Sequence, residues 1–467
     1  MRNVLLPILI LSLAACDSEP RREPASGSDA GPDAAVDTAA DTAADTAADA
    51  AADLRTDAPP PLDTPAPDVV EELPLVPSEG FLARQAEYLE ACSTLNGPGA
   101  GGFYAQACRV VTGETDYDDL LFQTAFDKVT SRKDTADFTM SGMLRFLYLD
   151  DVHHALPEHL RQGLEDAAKG FKYWVTEPGK DQMCFWTENH QALYHSNELL
   201  VGQLFPDHVF ANNGMTGAEH VAHATPRILR WLDLRARFGF SEWHSNVYFN
   251  EDMPALLNLA DFAEDPEVRI RAVMVLDILG YDMLNNMYKG LFATVHGRTY
   301  PDKLLEGLND STSEAAWLQL GLGEWSSDDN FTASFMATSE GYHPPPLLEE
   351  LALAVAERHE HRQTDSWDVE EGPDLGVSYT GDDDIPLWFG LSAVVHPLVI
   401  QGTFAFVEKH DLWDGFLFGE IPEDLMGFVK PMVGTPQLTQ LAEELAVLSK
   451  GITLEAMQTY TFRTPYW

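Results

Sequence analysis

Residues 186–206 read WTENHQALYHSNELLVGQLFP, and the fold turns on how this stretch is taken. Apolar residues recur at helical spacing over 188–205, Thr187 stands before them as a helix-start residue, and Phe205-Pro206 ends the run. The following segments repeat the pattern. Thr216 precedes a periodic run over 217–237 that stops at Gly239; a third run covers 246–263, and Asp265-Pro266 opens a fourth over 266–288. With neighbours antiparallel, the first and third helices point the same way. One face then collects the start of helix 188–205, the loop 239–247, the start of helix 246–263 and the loop 291–312.

Outward from this block, helical spacing recurs at about 118–129, 139–149, 157–174, 346–360 and 386–408, and strand-like alternation is scarce until the last stretch. Alternating inner and outer helices are what an α/α toroid requires. The expected fold is therefore mainly all-α, an (α/α)5-6 toroid, complete or incomplete. Residues 78–467 carry enough apolar content for one large core, with no second low-complexity linker inside them, so they are expected to form a single domain.

The residues before that domain have a different character. Arg2 gives a short positive head, and Val4 to Ala15 form an apolar run of about a dozen residues, where a membrane span needs roughly 20. This is the layout of a secretory signal over 1–15. Its end, Leu13-Ala14-Ala15-Cys16, resembles a bacterial lipobox, which implies cleavage before Cys16 and an acyl lipid on it. Residues 17–77 are Ala, Asp, Thr and Pro with few large apolar groups. In DTAADTAADTAAD, Asp37, Asp41, Asp45 and Asp49 recur every four positions, and a helix would stack those like charges. The prolines from Pro59 to Pro67 block helix as well. Cys16 and this disordered tether are expected to occupy 16–77. The expected location is the cell envelope, at the outer membrane or cell surface rather than the inner membrane, with the lipid as the only anchor. In an exported chain disulfides can form: Cys92 and Cys108 close a short Gly-rich loop, which leaves Cys184 over.

The net charge is −46, of which the tether supplies roughly a quarter. The folded part is thus strongly acidic, which excludes a nucleic-acid binder of the usual basic kind. A polyanion would be repelled at long range and held only where a few cationic or N–H groups override the field.

The face assembled above holds the densest chemistry in the chain: Trp186-Thr187-Glu188-Asn189-His190, then GFSEWHSNVY over 239–248, then His296-Gly297-Arg298-Thr299-Tyr300. Aromatics mixed with acids, amides and imidazoles suit a carbohydrate, because ring faces stack on sugars and polar groups orient hydroxyls. Asn189-His190 at a helix start, Tyr248 some 58 residues on, and Pro254 six residues after that tyrosine resemble the alginate lyases of α/α-toroid fold, and more loosely the heparinase II/III group. The resemblance covers about residues 180–265. It departs from the family at Glu188, where the motif has a first Asn, and at Ser241-Glu242, where the family carries a cation; Arg298 is the candidate replacement.

The resemblance implies a polysaccharide lyase acting by β-elimination on a uronate, with Asn189, His190, Tyr248 and Arg298 as catalytic residues. Such chemistry removes a weakly acidic proton beside a carboxylate, so donors must meet the developing charge. Asn189 would supply one, and the positive end of its helix would keep His190 neutral. Tyr248 would take or give a proton, and Arg298 would hold an anionic group. Which of His190 and Tyr248 is base and which acid stays open. Trp186, Glu188, Glu242, Trp243, His244, His296 and Tyr300 are the expected substrate contacts. Each residue also has a plainer reading: Asn189 and His190 as helix-end residues, Tyr248 and the tryptophans as core, the glutamates as solvated or paired to arginine. Two other functions compete, a glycoside hydrolase using Glu188 and Glu242 and a glycan-binding or structural lipoprotein. His220 and His223, a His-x-x-His pair, are read as surface positions on an outer helix, with a metal site as the lesser alternative. No metal and no cofactor is expected; the expected partners are a membrane, through the lipid, and a polysaccharide or oligosaccharide.

Overall fold

The computed structural model of the protein describes residues 76–95, 100–327, 329–354, 358–419 and 423–466, all within one compact unit. The leader, Cys16 and nearly all of the tether lie outside them. The chain is mainly helical. Its longer helices are α1 (Glu79–Thr94), α2 (Ala100–Thr112), α3 (Asp119–Thr130), α4 (Ala136–His153), α5 (Glu158–Gly170), α6 (Glu188–Leu204), α7 (Gly217–Phe238), α8 (Phe249–Phe262) and α9 (Pro266–Asn286). Shorter ones follow: α10 (Pro301–Glu306), α11 (Ser313–Leu320), α12 (Phe331–Ala337), α13 (Pro346–Leu353), α14 (Ile385–Gly390), α15 (Ile400–Lys409), α16 (Glu423–Val429), α17 (Pro436–Glu444) and α18 (Ala446–Ser449). Among the described residues no helix is long and apolar enough to cross a membrane.

Two of the three start signals work as local chemistry dictates, whereas Thr187 before α6 makes no side-chain cap. At α7 the Thr216 side chain accepts from the Glu219 N–H and Glu219 reaches back, a full capping box. At α9 the Asp265 side chain accepts from the Glu267 N–H, with Pro266 in the first turn. Gly239 ends α7 at φ +70°, a backbone conformation that favours glycine.

Burial sorts the helices into two kinds. The α4, α6, α8 and α12 helices are enclosed along most of their residues. By contrast, α5 buries only a stripe (Leu160, Leu164, Ala168), and α7 does likewise through Ala224, Ile228, Trp231 and Leu232. A helix with one apolar stripe faces solvent, and one covered all round sits inside. The packing agrees: α2 contacts α4, α4 contacts α6, α6 contacts α8, α8 contacts α12, and α12 returns to α2. Around that closed cycle, α3 and α5 lie on α4, α7 on α6, α9 on α8, and α1 and α11 on α12. Arg145 knots the interior. Its buried guanidinium donates to Thr338 Oγ1 (2.8 Å), Asn258 Oδ1 (3.0 Å), Asp261 Oδ2 (2.8 Å) and the Phe335 carbonyl (2.8 Å), joining α4 to α8 and to the end of α12.

Two sequence expectations need correction in the C-terminal part. The run at 346–360 ends as helix at Leu353, and His359 opens strand β1 (His359–Asp365), which pairs antiparallel with β2 (Met457–Arg463), Asp365 opposite Met457. Burial along β1 alternates, and partner strand rather than local propensity decides it. The run at 386–408 divides into α14 and α15, with Ser392 at φ +56° after α14. Around these helices lies a second apolar cluster, which includes Trp367, Trp388 and Phe404 and reaches Trp186 and Leu234.

A disulfide joins Cys92 to Cys108 and so α1 to α2. Cys184, expected to be left over, is disulfide-bonded too, its partner outside the described residues.

Candidate functional site

Glu188, the first residue of α6, reaches the loop after α7. Its Oε1 accepts from the Ser241 N–H and its Oε2 from the Glu242 N–H, each at 3.0 Å, and Arg235 near the end of α7 pairs with Oε1. Its expected contact with substrate is therefore corrected: the carboxylate is buried and both oxygens are engaged in fixing the 239–247 loop.

The next residue, Asn189, is fully buried. The Thr187 hydroxyl donates to its Oδ1 at 2.7 Å, while Nδ2 has no partner among the described residues. His190 follows, with Nδ1 2.6 Å from Asp137 Oδ2 at the start of α4. Burial alone would lower the His190 pKa, but the Asp137 carboxylate, its hydrogen bond and Asp134 behind it raise it above the ordinary value. The expected lowering by the helix dipole is overridden, because a full carboxylate charge in contact outweighs the partial charge of a helix end. Asp137 also fixes the helix pair through its carbonyl, which accepts from Asn197 Nδ2 at 2.9 Å.

Tyr248 stands directly before α8 and is 2% exposed. Its hydroxyl meets that of Tyr300, and the Arg298 guanidinium lies 4.1 Å from its ring centroid. Burial, against the pull of Arg298, raises the Tyr248 pKa well above the ordinary value, so this phenol holds its proton. Arg298 donates to Glu242 Oε1 and to the Tyr300 hydroxyl, each at 3.1 Å. Burial opposes the Arg298 charge and Glu242 sustains it. That charge is felt at His190, which places the two in one electrostatic neighbourhood. The loops 239–247 and 291–312 are stitched together: Gly297 N–H donates to the Trp243 carbonyl (2.9 Å), Ser245 Oγ to the Arg298 carbonyl (2.7 Å) and Thr299 Oγ1 to Asn246 Oδ1 (2.6 Å).

The remaining expected contacts turn inward. His244 is fully buried, at φ +47°, with Nε2 3.1 Å from Asn286 Nδ2, and burial lowers its pKa to about 4. It is a neutral packing residue, which corrects its assignment to substrate. His296 bonds through Nδ1 to the His244 carbonyl. Trp243 and Trp186 are buried, so neither presents an open ring face; the N–H of each lacks a partner among the described residues.

Trp186 does line the largest described cleft, about 560 Å³, formed by residues 172–186 against 410–418 with Pro386 and Phe389. Neither it nor the two smaller described clefts takes in Asn189, His190, Tyr248 or Arg298. Asn189, His190 and Tyr248 are buried, and Arg298 is partly exposed.

Two residues of this neighbourhood escaped the sequence argument. Asp137 is one. Glu251, in the first turn of α8, is the other: burial raises its carboxyl pKa to about 7, against the Asn250 hydrogen bond and the nearby His190. An acid in the first turn of a helix ordinarily signals only a response to the dipole, so neither carried a mark of its own. No family model, curated protein or solved structure matches this chain.

Proposed function

We propose that the protein is a polysaccharide lyase acting by β-elimination on a uronate-containing glycan, on an (α/α)5-6 toroid. The closed cycle α2, α4, α6, α8, α12, flanked by amphipathic helices, supports the toroid. One observation carries the chemistry: a buried amide nitrogen of Asn189 without a partner among the described residues, next to an imidazole held by Asp137. A buried donor left unpaired costs about 1–3 kcal/mol, and a substrate carboxylate would recover it. In this reading Asn189 neutralises the uronate carboxylate as carbanion character develops. His190, oriented by Asp137 and acting in the neutral form it takes above its raised pKa, removes the C5 proton, and Tyr248, whose proton is firmly held, protonates the departing oxygen. Entry requires the Arg298–Glu242 pair to open, after which Arg298 is available to an anionic sugar.

The hydrolase alternative loses Glu188, whose carboxylate is committed to two backbone amides and Arg235, while Glu242 is paired to Arg298 through one oxygen. A hydrolase here would instead rest on Glu251, the carboxyl raised to about 7. Incubation of the full chain with uronate-containing and neutral glycans separates the readings. A lyase gives an unsaturated product absorbing in the ultraviolet, lost at least 100-fold in Tyr248→Phe and His190→Ala. Reducing ends without that absorbance, dependent on Glu251, would overturn the lyase, and retention of oligosaccharide without cleavage would leave a binder.

The envelope location belongs to the same proposal: the lipobox at Leu13–Cys16 and the charged tether support a domain held off a membrane by an acylated Cys16.

A further inference from the structure

A second cluster of reactive side chains lies away from the Tyr248 neighbourhood and uses none of its residues. Glu198 and His195 occupy successive turns of α6 as His-x-x-Glu; His220 and His223 do the same on α7 as His-x-x-His. The two helices pack against each other, so the pairs meet. His220 Nδ1 lies 2.9 Å and His223 Nδ1 2.8 Å from the same oxygen of Glu198, Oε1. His220 and Glu198 are buried, which corrects the reading of His220 as a surface residue.

From the segment after α5 comes a second carboxylate, Glu177. It is held by Asn212 Nδ2 at 2.5 Å, and Arg132 donates to Asn212 Oδ1 at 2.8 Å. Glu177, Glu198 and His220 each offer a ligand atom, all within 4.8 Å of one another. The second oxygen of Glu198, Oε2, is buried without a partner among the described residues. Two carboxylates this close in a dry site repel unless a proton or a cation sits between them.

We propose that Glu177, Glu198 and His220 bind a divalent transition metal ion, with His223 holding Glu198 in place. Mixed imidazole and carboxylate donors suit zinc and its neighbours, whereas calcium takes six to eight oxygens and magnesium a near-octahedral oxygen shell. The hydrogen bonds to Glu198 and Glu177 are the outer supports that metal ligands require. Glu177 also lines the 560 Å³ cleft, which gives the ion a path in and lets an open coordination position face that cleft. The ion would tie α6, α7 and the cleft wall together. The inference does not rest on the lyase reading.

The test is zinc stoichiometry of the full chain after chelator treatment, zinc addition and desalting. About one zinc per chain is expected, with a melting temperature that rises on addition. Glu198→Gln and Glu177→Gln should each lose the bound zinc and the rise. Glu177→Gln keeps a side-chain oxygen for its amide contacts at the cleft edge, so it serves as the test should Glu198→Gln fail to fold. Cobalt in place of zinc should give weak visible bands that excess zinc abolishes. No retained zinc in the wild type, or equal zinc in wild type and Glu177→Gln, overturns the proposal; the second result would assign the ion to the acidic surface.

Discussion

Asp137 and His190 stand 53 positions apart in the chain, yet an oxygen of the one lies 2.6 Å from Nδ1 of the other at the adjoining ends of α4 and α6. The folded-state pKa of His190 is raised, its own burial notwithstanding, because Asp137 favours the imidazolium. The stabilisation is thus fully present below the unfolded value of about 6.5 and is lost as pH rises through the higher folded value. Asp137→Asn should destabilise the protein by about 1–3 kcal/mol at pH 5 and by less at pH 9, as read from urea midpoints. Nuclear magnetic resonance should show His190 titrating at lower pH in the variant. In the lyase reading the acidic limb of the activity profile moves down with it; an unmoved His190 titration would remove Asp137 from any role.

Three largely buried carboxyls should each stabilise the fold less at pH 8 than at pH 5. Burial raises the carboxyls of Glu251, Asp277 and Asp365 each to about 7. A carboxyl whose folded pKa exceeds its unfolded value of about 4 stabilises the fold below that value and loses the contribution as pH rises through the folded one. At about 1.4 kcal/mol per unit, each carboxyl stands to lose on the order of a few kcal/mol, less at the partly exposed Glu251. Overall charge repulsion pushes the same way, so the discriminating measurement is the variants. Glu251→Gln and Asp365→Asn should raise stability relative to wild type at pH 8 and leave it nearly unchanged at pH 4. Equal effects at both values would refute the assignment.

How far the sequence discloses this arrangement depends on whether a residue's role is local. The α3, α5, α6, α7 and α9 helices carry their own periodicity, α3, α7 and α9 carry their own side-chain caps, and the expected limits fall near those observed. The division between buried and striped helices follows the same pattern. In the C-terminal part the helices are short, and β1 is a strand only because β2, nearly a hundred residues later, lies beside it. The same holds at the site. Asn189, His190, Tyr248 and Arg298 stand in conspicuous company in the sequence. Asp137 and Glu251 are two acids among 75, and only the meeting of distant helix ends distinguishes them. Glu188 was conspicuous for the wrong reason: its buried carboxylate serves two amides and Arg235.

Arg145 should be the most costly single cation to remove from the interior. It is fully buried and satisfies Asp261, Asn258, Thr338 and the Phe335 carbonyl at once. Replacing one partner of a buried ion pair leaves the other uncompensated, at about 3–5 kcal/mol. Arg145→Met should therefore lose about that much in chemical denaturation. Arg145→Met with Asp261→Asn should lose less than the sum of the two single changes, since the stranded charge is gone. Additive losses would mean that Arg145 acts through its packing against Phe262 and Phe335 rather than through the pair.

The cysteines set the sharpest test of the lipid anchor. The chain has four; Cys92 and Cys108 are joined to each other, and Cys184 is disulfide-bonded to a partner outside the described residues. A Cys16 acylated through its sulfur cannot also form a disulfide. If the lipid proposal holds, Cys16→Ser should move the protein from the membrane fraction to the soluble fraction. A digest made without reduction should then recover the Cys184 peptide without any link to the Cys16 peptide. Recovery of Cys184 linked to the Cys16 peptide from the mature protein would exclude acylation of that sulfur. The tether would then be fastened to the folded domain near the cleft wall, not to a membrane.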